Sequence, residues 1–178
     1  MFLQEEVMKG YVQVYTGDGK GKTTAALGLS IRAAGAGLKV FIAQFLKKGN
    51  YNEIKALKRF SDLITVEQFG SGCFIKGKPA TKDIEGARKG IEKVKSIISS
   101  GNYKMVILDE ANVAIKLGLF PAEDLLYIIA DKPEEVEIVI TGRNADQRLI
   151  EKSDLVTEMK EIKHYFQKGV KARLGIEK

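Results

Sequence analysis

Short apolar runs alternate with helix-like stretches along the 178-residue chain. Residues 105–108 and 138–140 are continuously apolar, which is typical of strands that are buried on both faces. From Thr81 onward, apolar residues recur three and four positions apart, which predicts a long helix with one buried stripe and Thr81 as its N-cap. The pattern predicts strands at residues 11–15, 38–45, 63–69, 103–108, 136–140 and 155–159, and helices at 22–34, 51–60, from 81, at 144–152, twice between 109 and 136, and near the C-terminus.

Strand–helix alternation over the whole chain predicts an α/β fold, in which a mostly parallel central sheet carries helices on both faces. The length predicts a single domain over residues 1–178. In such a sheet, ligands bind beyond the carboxyl ends of the strands. That rule singles out residues 16–23, 109–110 and 141–143 as candidate ligand-binding segments.

Composition narrows the classes of partner. The chain has 29 Lys and Arg against 23 Asp and Glu, and this net charge of +6 favours an anionic partner or reflects only a solvated surface. One Cys and one His exclude a disulfide framework, a four-Cys zinc site and a His-rich metal cage. No block of like charges suggests a nucleic-acid arm, and no apolar run approaches the roughly 20 residues that span a membrane. The N-terminal stretch lacks the order of a signal peptide, so we expect a cytoplasmic protein that binds neither nucleic acid nor membrane.

The strongest sequence signal is a glycine-rich segment between the first strand and the first helix. Residues 16–24 read Thr-Gly-Asp-Gly-Lys-Gly-Lys-Thr-Thr, which nearly fits the phosphate-binding pattern G-x-x-x-x-G-K-[ST], with Thr16 in place of the first glycine. The glycines let backbone N–H groups turn toward phosphate oxygens at a helix N-terminus. Lys22 would neutralise phosphate charge, Lys20 would add a second cation, and the Thr23 hydroxyl would bind Mg²⁺. The residues predicted to bind the nucleotide are Gly17, Asp18, Gly19, Lys20, Gly21, Lys22, Thr23 and Thr24.

Charged residues end two further strands. Asp109 and Glu110 close an apolar strand, where carboxylates in a phosphate-loop fold reach the nucleotide's Mg²⁺ or, alternatively, only stabilise a helix start. Arg143 follows another strand and could clamp phosphates or lie on the surface. Arg32 is on a helix that reads as mostly buried, so its charge needs a partner, either a phosphate or a carboxylate elsewhere in the fold.

Cysteine and histidine chemistry is poorly supported by the sequence. Cys73 fits a loop residue better than a nucleophile, and His164 fits a structural residue better than a general base. The candidate site therefore offers cations, N–H donors and metal ligands rather than a nucleophilic side chain.

Several segments together complete a longer pattern. They read Tyr-Thr-Gly-Asp-Gly-Lys-Gly-Lys-Thr-Thr-Ala-Ala at 15–26, Gln-Phe-Leu-Lys at 44–47, Leu-Asp-Glu at 108–110, Ile-Thr-Gly-Arg at 140–143, Val-Thr-Glu-Met at 156–159 and Lys-His-Tyr-Phe at 163–166, followed by Gly169, Ala172 and Gly-Ile-Glu at 175–177. This set resembles the phosphate-loop type of ATP:corrinoid adenosyltransferases, also called ATP:cob(I)alamin adenosyltransferases. The C-terminal block and Thr-Gly-Arg make the resemblance more specific than a phosphate loop alone.

The resemblance implies a single-domain, RecA-like phosphate-loop NTPase fold and a defined reaction. The Co(I) centre of a reduced corrinoid attacks C5′ of ATP, takes the 5′-deoxyadenosyl group and releases triphosphate. ATP and cob(I)alamin or another corrinoid are then the substrates, and Mg²⁺ accompanies the nucleotide. The implied partners are an electron-donating flavoprotein reductase and a second copy of the chain in a homodimer.

Carried onto this sequence, the resemblance assigns residues 17–24 to the triphosphate. Thr23 and Glu110 would hold Mg²⁺, and Asp109 would assist from behind these ligands. The residues expected to act in catalysis, by steadying the polyphosphate as it leaves, are Lys22, Arg143 and Arg32.

The corrinoid contacts are the part in which this chain departs from the family pattern. Phe74 and Ile75, in the loop at 70–80, are the candidate corrinoid wall, and ordinary loop packing is the alternative for both. The family often has a more aromatic segment here, whereas residues 72–75 read Gly-Cys-Phe-Ile and the chain contains no Trp. Asp18 also stands where the family often has Asn.

Other functions remain open at the level of sequence. The main alternative is a Mg²⁺-dependent phosphate-loop ATPase of the recombinase-like kind, in which Glu110 would polarise an attacking water. An ATP-binding regulatory module and a small-molecule kinase are further alternatives. The product released from ATP discriminates among them.

Overall fold

The computed structural model describes residues 8–72, 75 and 77–177, and it contains a six-stranded, all-parallel sheet. The strands are β1 (Val12–Thr16), β2 (Val40–Gln44), β3 (Ile64–Gln68), β4 (Met105–Asp109), β5 (Glu137–Thr141) and β6 (Leu155–Glu158). Their order across the sheet is β3-β2-β4-β5-β1-β6. The chain alternates strand with crossover as parallel pairing requires.

Helices connect the strands and cover both faces of the sheet. They are α1 (Lys22–Gly35), α2 (Asn52–Leu57), α3 (Thr81–Ser99), α4 (Ala111–Lys116), α5 (Ala122–Ala130) and α6 (Gln147–Lys152), with 3₁₀ turns at Lys58–Phe60 and Tyr165–Lys168. Within the described part of the chain, no helix combines the length and apolarity that a membrane crossing requires.

Alternate residues of the central strands point into two apolar layers, whereas β6 at the edge of the sheet is exposed. On one face, strand residues such as Val106 and Ile138 pack against α3 to α6, for example against Ile91 of α3. On the other face, Ile107 packs with Ala26 of α1 in a second layer. Burial of both faces explains why β4 and β5 are continuously apolar in sequence, as predicted.

The structure confirms the predicted α/β class and parallel sheet, and it corrects several element boundaries. Ala80 rather than Thr81 is the N-cap of α3, and the Asp83 carboxylate accepts the Ala80 N–H at 2.9 Å. The helix predicted at 144–152 begins only at Gln147, because Asn144 adopts a left-handed conformation (φ 54°) and Asp146 caps the helix. The predicted C-terminal helix is a single 3₁₀ turn.

Strand order decides where the site lies. β4, β5 and β1 are consecutive in the sheet, and Gln44 of β2 is in register with Asp109 of β4. The carboxyl ends of all these strands therefore open at one edge, and the glycine-rich loop that follows β1 covers it.

Candidate functional site

The glycine-rich loop, residues 17–21, has a backbone shape that side chains would disrupt. Gly21 has φ 122° and is the N-cap of α1. Gly19 is pressed against the chain after β6: its N–H donates to the Met159 carbonyl at 2.6 Å, and a Cβ on Gly19 would lie 2.7 Å from that oxygen. No side chain caps α1 and its first turn carries no acid, so its first N–H groups are available to an anion.

Lys22 folds back over this loop. Its Nζ donates to the carbonyls of Gly17 and Gly19 at 2.6 and 2.7 Å, and the residue is only 8% exposed. Burial lowers the pKa of the Lys22 ammonium, and the positive charge of Arg143 lowers it further. The ammonium is thus held inside the curve of the loop, where a phosphate oxygen would meet it.

Asp109 connects the loop to the sheet. Its fully buried carboxylate accepts from the Thr23 hydroxyl at 2.7 Å and the Thr141 hydroxyl at 2.8 Å through Oδ1, and from Gln44 Nε2 at 3.1 Å through Oδ2. The first turn of α1 and the ends of β2, β4 and β5 therefore meet at one carboxylate. Of the two adjacent acids, Asp109 is the one that contacts the Thr23 hydroxyl.

Glu110 occupies a strained position beside it. Its backbone is left-handed (φ 61°), which is unusual for a residue other than glycine and is often found at functional sites. Its N–H donates to the Thr141 hydroxyl at 3.0 Å. Burial, and then the charge of Asp109, raise the pKa of the Glu110 carboxyl against the opposing charges of Lys47, Lys22 and Arg143. Among the described residues, none donates a hydrogen bond to this carboxylate.

Lys47 is a residue that sequence reasoning matched to the family but gave no role. Its Nζ lies 3.5 Å from Asp109 Oδ2 and 3.5 Å from Glu53 Oε1. Burial opposes its charge, but Asp109, Glu53 and Glu110 outweigh burial and raise the pKa of the ammonium. The signal that could have found it is its place just beyond the end of β2, at the same edge of the sheet.

Arg143 reaches the tip of the loop. Its Nη2 donates to the Asp18 carbonyl at 3.1 Å, and its Nε lies 3.7 Å from Asp18 Oδ1. The turn before it is held by Asn112, whose buried side chain donates to the Gly142 carbonyl at 3.2 Å. Sequence reasoning missed Asn112, which lies in the short helix after the two acids.

Three other residues that the sequence predicts for the site take no part in the contacts described above. Arg32 is exposed in the last turn of α1, about 15 Å along the helix axis from Lys22, so the expected buried setting is wrong. Thr24 is exposed in the first turn of the helix. Lys20 turns away from the curve of the loop, toward Tyr165 and Glu177 near the C-terminus.

The candidate corrinoid wall is described only in part. Phe74 lies outside the described residues, as does Cys73. Ile75 is partly buried, packs against the apolar core and lines a small cavity with Phe45 and Leu119, an arrangement that favours the alternative of loop packing for this side chain. His164 has a structural role, because its Nδ1 accepts the N–H of Phe166 at 3.0 Å and caps the 3₁₀ turn.

The oxygen atoms at this site suit a cation such as Mg²⁺ that is also bound by the phosphates of a ligand. The described residues contain no cluster of three or more His, Cys, Asp or Glu side chains that could hold a metal by themselves. Thr23, Asp109 and Glu110 nevertheless bring a hydroxyl and two carboxylates to one place. Mg²⁺ is commonly bound in this way, through one or two carboxylates together with substrate phosphates.

The chain is similar to proteins of a known family. The family model of the ATP:corrinoid adenosyltransferases BtuR/CobO/CobP matches residues 8–177. A corrinoid adenosyltransferase from a Sinorhizobium species is 38% identical over 172 residues, which cover 95% of this chain and 80% of that protein. The Pseudomonas aeruginosa enzyme of the same name is 34% identical over 95% of this chain and 84% of its own. The Escherichia coli K12 enzyme is 31% identical over 98% and 88%.

Proposed function

We propose which residues of this chain, which belongs to the ATP:corrinoid adenosyltransferase family, act in each part of that family's reaction. The reaction transfers the 5′-deoxyadenosyl group of ATP to a reduced corrinoid. The electron pair of Co(I) forms the Co–C5′ bond, the C5′–O bond breaks, and its electrons leave with triphosphate. Because the corrinoid supplies the nucleophile, the protein needs no side-chain nucleophile.

The observation that carries the assignment is the arrangement of the neighbours Lys22 and Thr23, one bonded to the loop and the other to Asp109. Lys22 is locked over the loop, and the next residue joins the loop to the buried acid. Together with the uncapped N-terminus of α1, this arrangement provides positive charge and N–H donors for a polyphosphate. Stabilising the departing triphosphate is the part of this reaction that a protein can accelerate by electrostatics.

Arg143 adds a solvent-exposed cation at the tip of the same loop. Its side chain is more than half exposed, and its neighbour Asp18 is also exposed. An exposed arginine can exchange the Asp18 carboxylate for phosphate oxygens, and its guanidinium can bind two of them. Within one chain, Arg32 lies too far along α1 to bind the same phosphates as the loop. Its proposed role therefore requires that the departing polyphosphate, or another copy of the chain, come close to the C-terminal end of α1.

A bound Mg²⁺ would neutralise polyphosphate charge. Thr23 would hold it through its hydroxyl and Glu110 through a carboxylate oxygen, with Asp109 assisting from behind these two ligands. Of the two acids, Glu110 has the carboxylate that no described residue occupies, whereas Asp109 already accepts from Thr23, Thr141 and Gln44. We therefore assign Glu110 to the ion and Asp109 to orienting Thr23.

The rest of the proposal rests on family membership. Residues 1–178 form one phosphate-loop NTPase domain of RecA-like type, which the all-parallel strand order supports. As the family resemblance implies, a flavoprotein reductase is proposed as the electron donor. A homodimer is proposed as the assembly, and analytical ultracentrifugation tests it.

Anaerobic assay with ATP, Mg²⁺ and chemically reduced cobalamin tests the function. We expect the absorbance of a Co–C bond to develop together with one triphosphate per cobalamin, and no orthophosphate. The ATPase alternative has no support from the relatives. It would prevail if orthophosphate were released without adenosylcobalamin. Thr23→Val, assayed in parallel, separates the enzyme's product from the background reaction.

A further inference from the structure

The chain after β6 lies along the outside of the phosphate loop; we call residues 159–177 the C-terminal segment. Lys20, between two glycines of the loop, points into it. Its Nζ donates to the Tyr165 hydroxyl at 2.9 Å and to the Ile176 carbonyl at 3.3 Å, and pairs with Glu177 Oε1 at 2.8 Å. The ammonium also lies 5.7 Å from the centre of the Tyr165 ring.

Glu177 is the centre of this cluster. Its side chain is 16% exposed, although it is near the C-terminus. Oε2 accepts the backbone N–H of Arg173 at 2.8 Å, Oε1 accepts from the Arg173 guanidinium at 3.1 Å, and the Tyr165 hydroxyl donates to Oε1. These donors, with Lys20, hold the pKa of Glu177 well below its usual range. A carboxylate bonded so extensively is fixed in place.

A second contact holds the loop from the same side. Gly19 donates to the Met159 carbonyl, and Met159 donates back to the Thr16 carbonyl at 2.9 Å. The loop is therefore fixed at its base by the start of the C-terminal segment and at Lys20 by its end. Lys22, two residues further on, points the other way, into the curve of the loop.

We propose that Glu177 is a positioning residue for the nucleotide, which acts through Lys20 to hold the phosphate loop in its binding shape. This inference rests on the proposed function, because it concerns the same triphosphate site. Holding a flexible, glycine-rich loop before the ligand arrives removes part of the ordering cost of binding. Lys20 is then a tether for the loop rather than the second phosphate ligand that the sequence suggested.

The two roles of Lys20 predict opposite effects for Glu177→Gln. If Lys20 is a phosphate ligand and its ion pair with Glu177 keeps it away from the nucleotide, removal of the carboxylate charge strengthens ATP binding. If Lys20 is a tether, the same substitution weakens it. If Lys20 is a tether, Lys20→Met and Glu177→Gln break the same connection. The double variant should then bind ATP no more weakly than the single variant that binds it less well.

Calorimetric titration with ATP and Mg²⁺, without corrinoid, measures these effects. We expect Kd to rise about threefold to tenfold in Glu177→Gln and in Lys20→Met, and not to rise further in the double variant. Glu177→Asp should recover part of the loss. Glu161→Gln is the matched control, since Glu161 is an exposed acid of the C-terminal segment that bonds Gln167 and not the loop.

Thermal unfolding checks that each variant folds, and Tyr165→Phe provides a milder break that removes only a hydroxyl. An unchanged or tighter ATP Kd in Glu177→Gln, or additive losses in the double variant, would overturn the inference. Failure of the proposed function gives a different result, in which wild-type protein binds ATP but forms no adenosylcobalamin, while the pattern of Kd values still supports the tether. Wild-type protein that binds no ATP contradicts both.

Discussion

The Thr23 hydroxyl donates to Asp109 Oδ1 at 2.7 Å, and this contact joins the first turn of α1 to the end of β4. The two residues are 86 positions apart in the chain. Asp109 is fully buried and accepts from Thr141 and Gln44 as well, so it cannot move toward a ligand without losing bonds. Thr23 is consequently fixed beside the acids by the sheet itself.

Thr23→Val should impair turnover more than ATP binding. The substitution keeps the shape but removes the hydroxyl, which leaves buried Asp109 with one donor fewer and any metal with one ligand fewer. Loss of a hydrogen bond to a charged group costs about 1.5–3 kcal/mol. We expect turnover to fall about tenfold to hundredfold, with a higher Mg²⁺ requirement, in the adenosylation assay. Thr23→Ser should keep most of the activity. Wild-type metal dependence in Thr23→Val would contradict the assignment.

Lys22→Met should weaken ATP binding itself. The ammonium is held by two loop carbonyls, and its loss removes both a charge for the phosphates and the bonds that close the loop. Charge-assisted bonds of this kind support a rise in Kd of about tenfold to hundredfold, measurable by calorimetry. Lys89→Met, which changes an exposed lysine on α3, is the control. Near-normal affinity in Lys22→Met would count against the loop as the nucleotide site.

The sequence predicts the framework of this site well, because the rules involved are local. Continuously apolar runs mark β4 and β5, and parallel pairing then brings Asp109 and Thr141 to one edge of the sheet. The loop itself is recognisable because glycine is required where φ is positive or a backbone passes closely. These features depend on neighbouring residues and on a general rule of topology.

The sequence cannot predict contacts that depend on distant partners or on direction. Asp109 and Glu110 are adjacent, and the sequence does not say that Asp109, at the end of β4, is the one that contacts Thr23, or that Glu110 takes a left-handed backbone. Lys20 reads as a phosphate ligand because its partner Glu177 is 157 positions away. Arg32 reads as buried because its helix is rich in Ala and Gly, but it shares with Thr24 and Gly28 the exposed face of α1, away from the buried residues of that helix.

Glu110 should give the metal-free protein a recognisable pH dependence. A carboxyl whose folded-state pKa is raised favours folding while it is protonated. Its contribution is therefore complete below its unfolded pKa of about 4.3 and is lost as pH rises through the raised value. Glu110→Gln cannot ionise and should lack this decline. In urea titrations with EDTA, the stability of the variant relative to wild type should grow as pH rises above about 4.3. A difference that stays constant with pH would rule out the buried-carboxylate explanation.

Asp18→Asn should strengthen ATP binding. Asp18 lies at the tip of the loop, and its carboxylate is 3.7 Å from Arg143 Nε, where it competes with phosphate for the guanidinium. Both side chains are exposed, so the effect is modest: a Kd about threefold lower at low salt, shrinking as salt screens the charges. The bond from Arg143 to the Asp18 carbonyl survives the substitution, so the arginine stays in place. In an Arg143→Gln background the gain should be smaller, because the guanidinium that the carboxylate occupies is gone. Unchanged or weaker binding by Asp18→Asn at low salt would show that Arg143 does not meet the nucleotide from its position at Asp18.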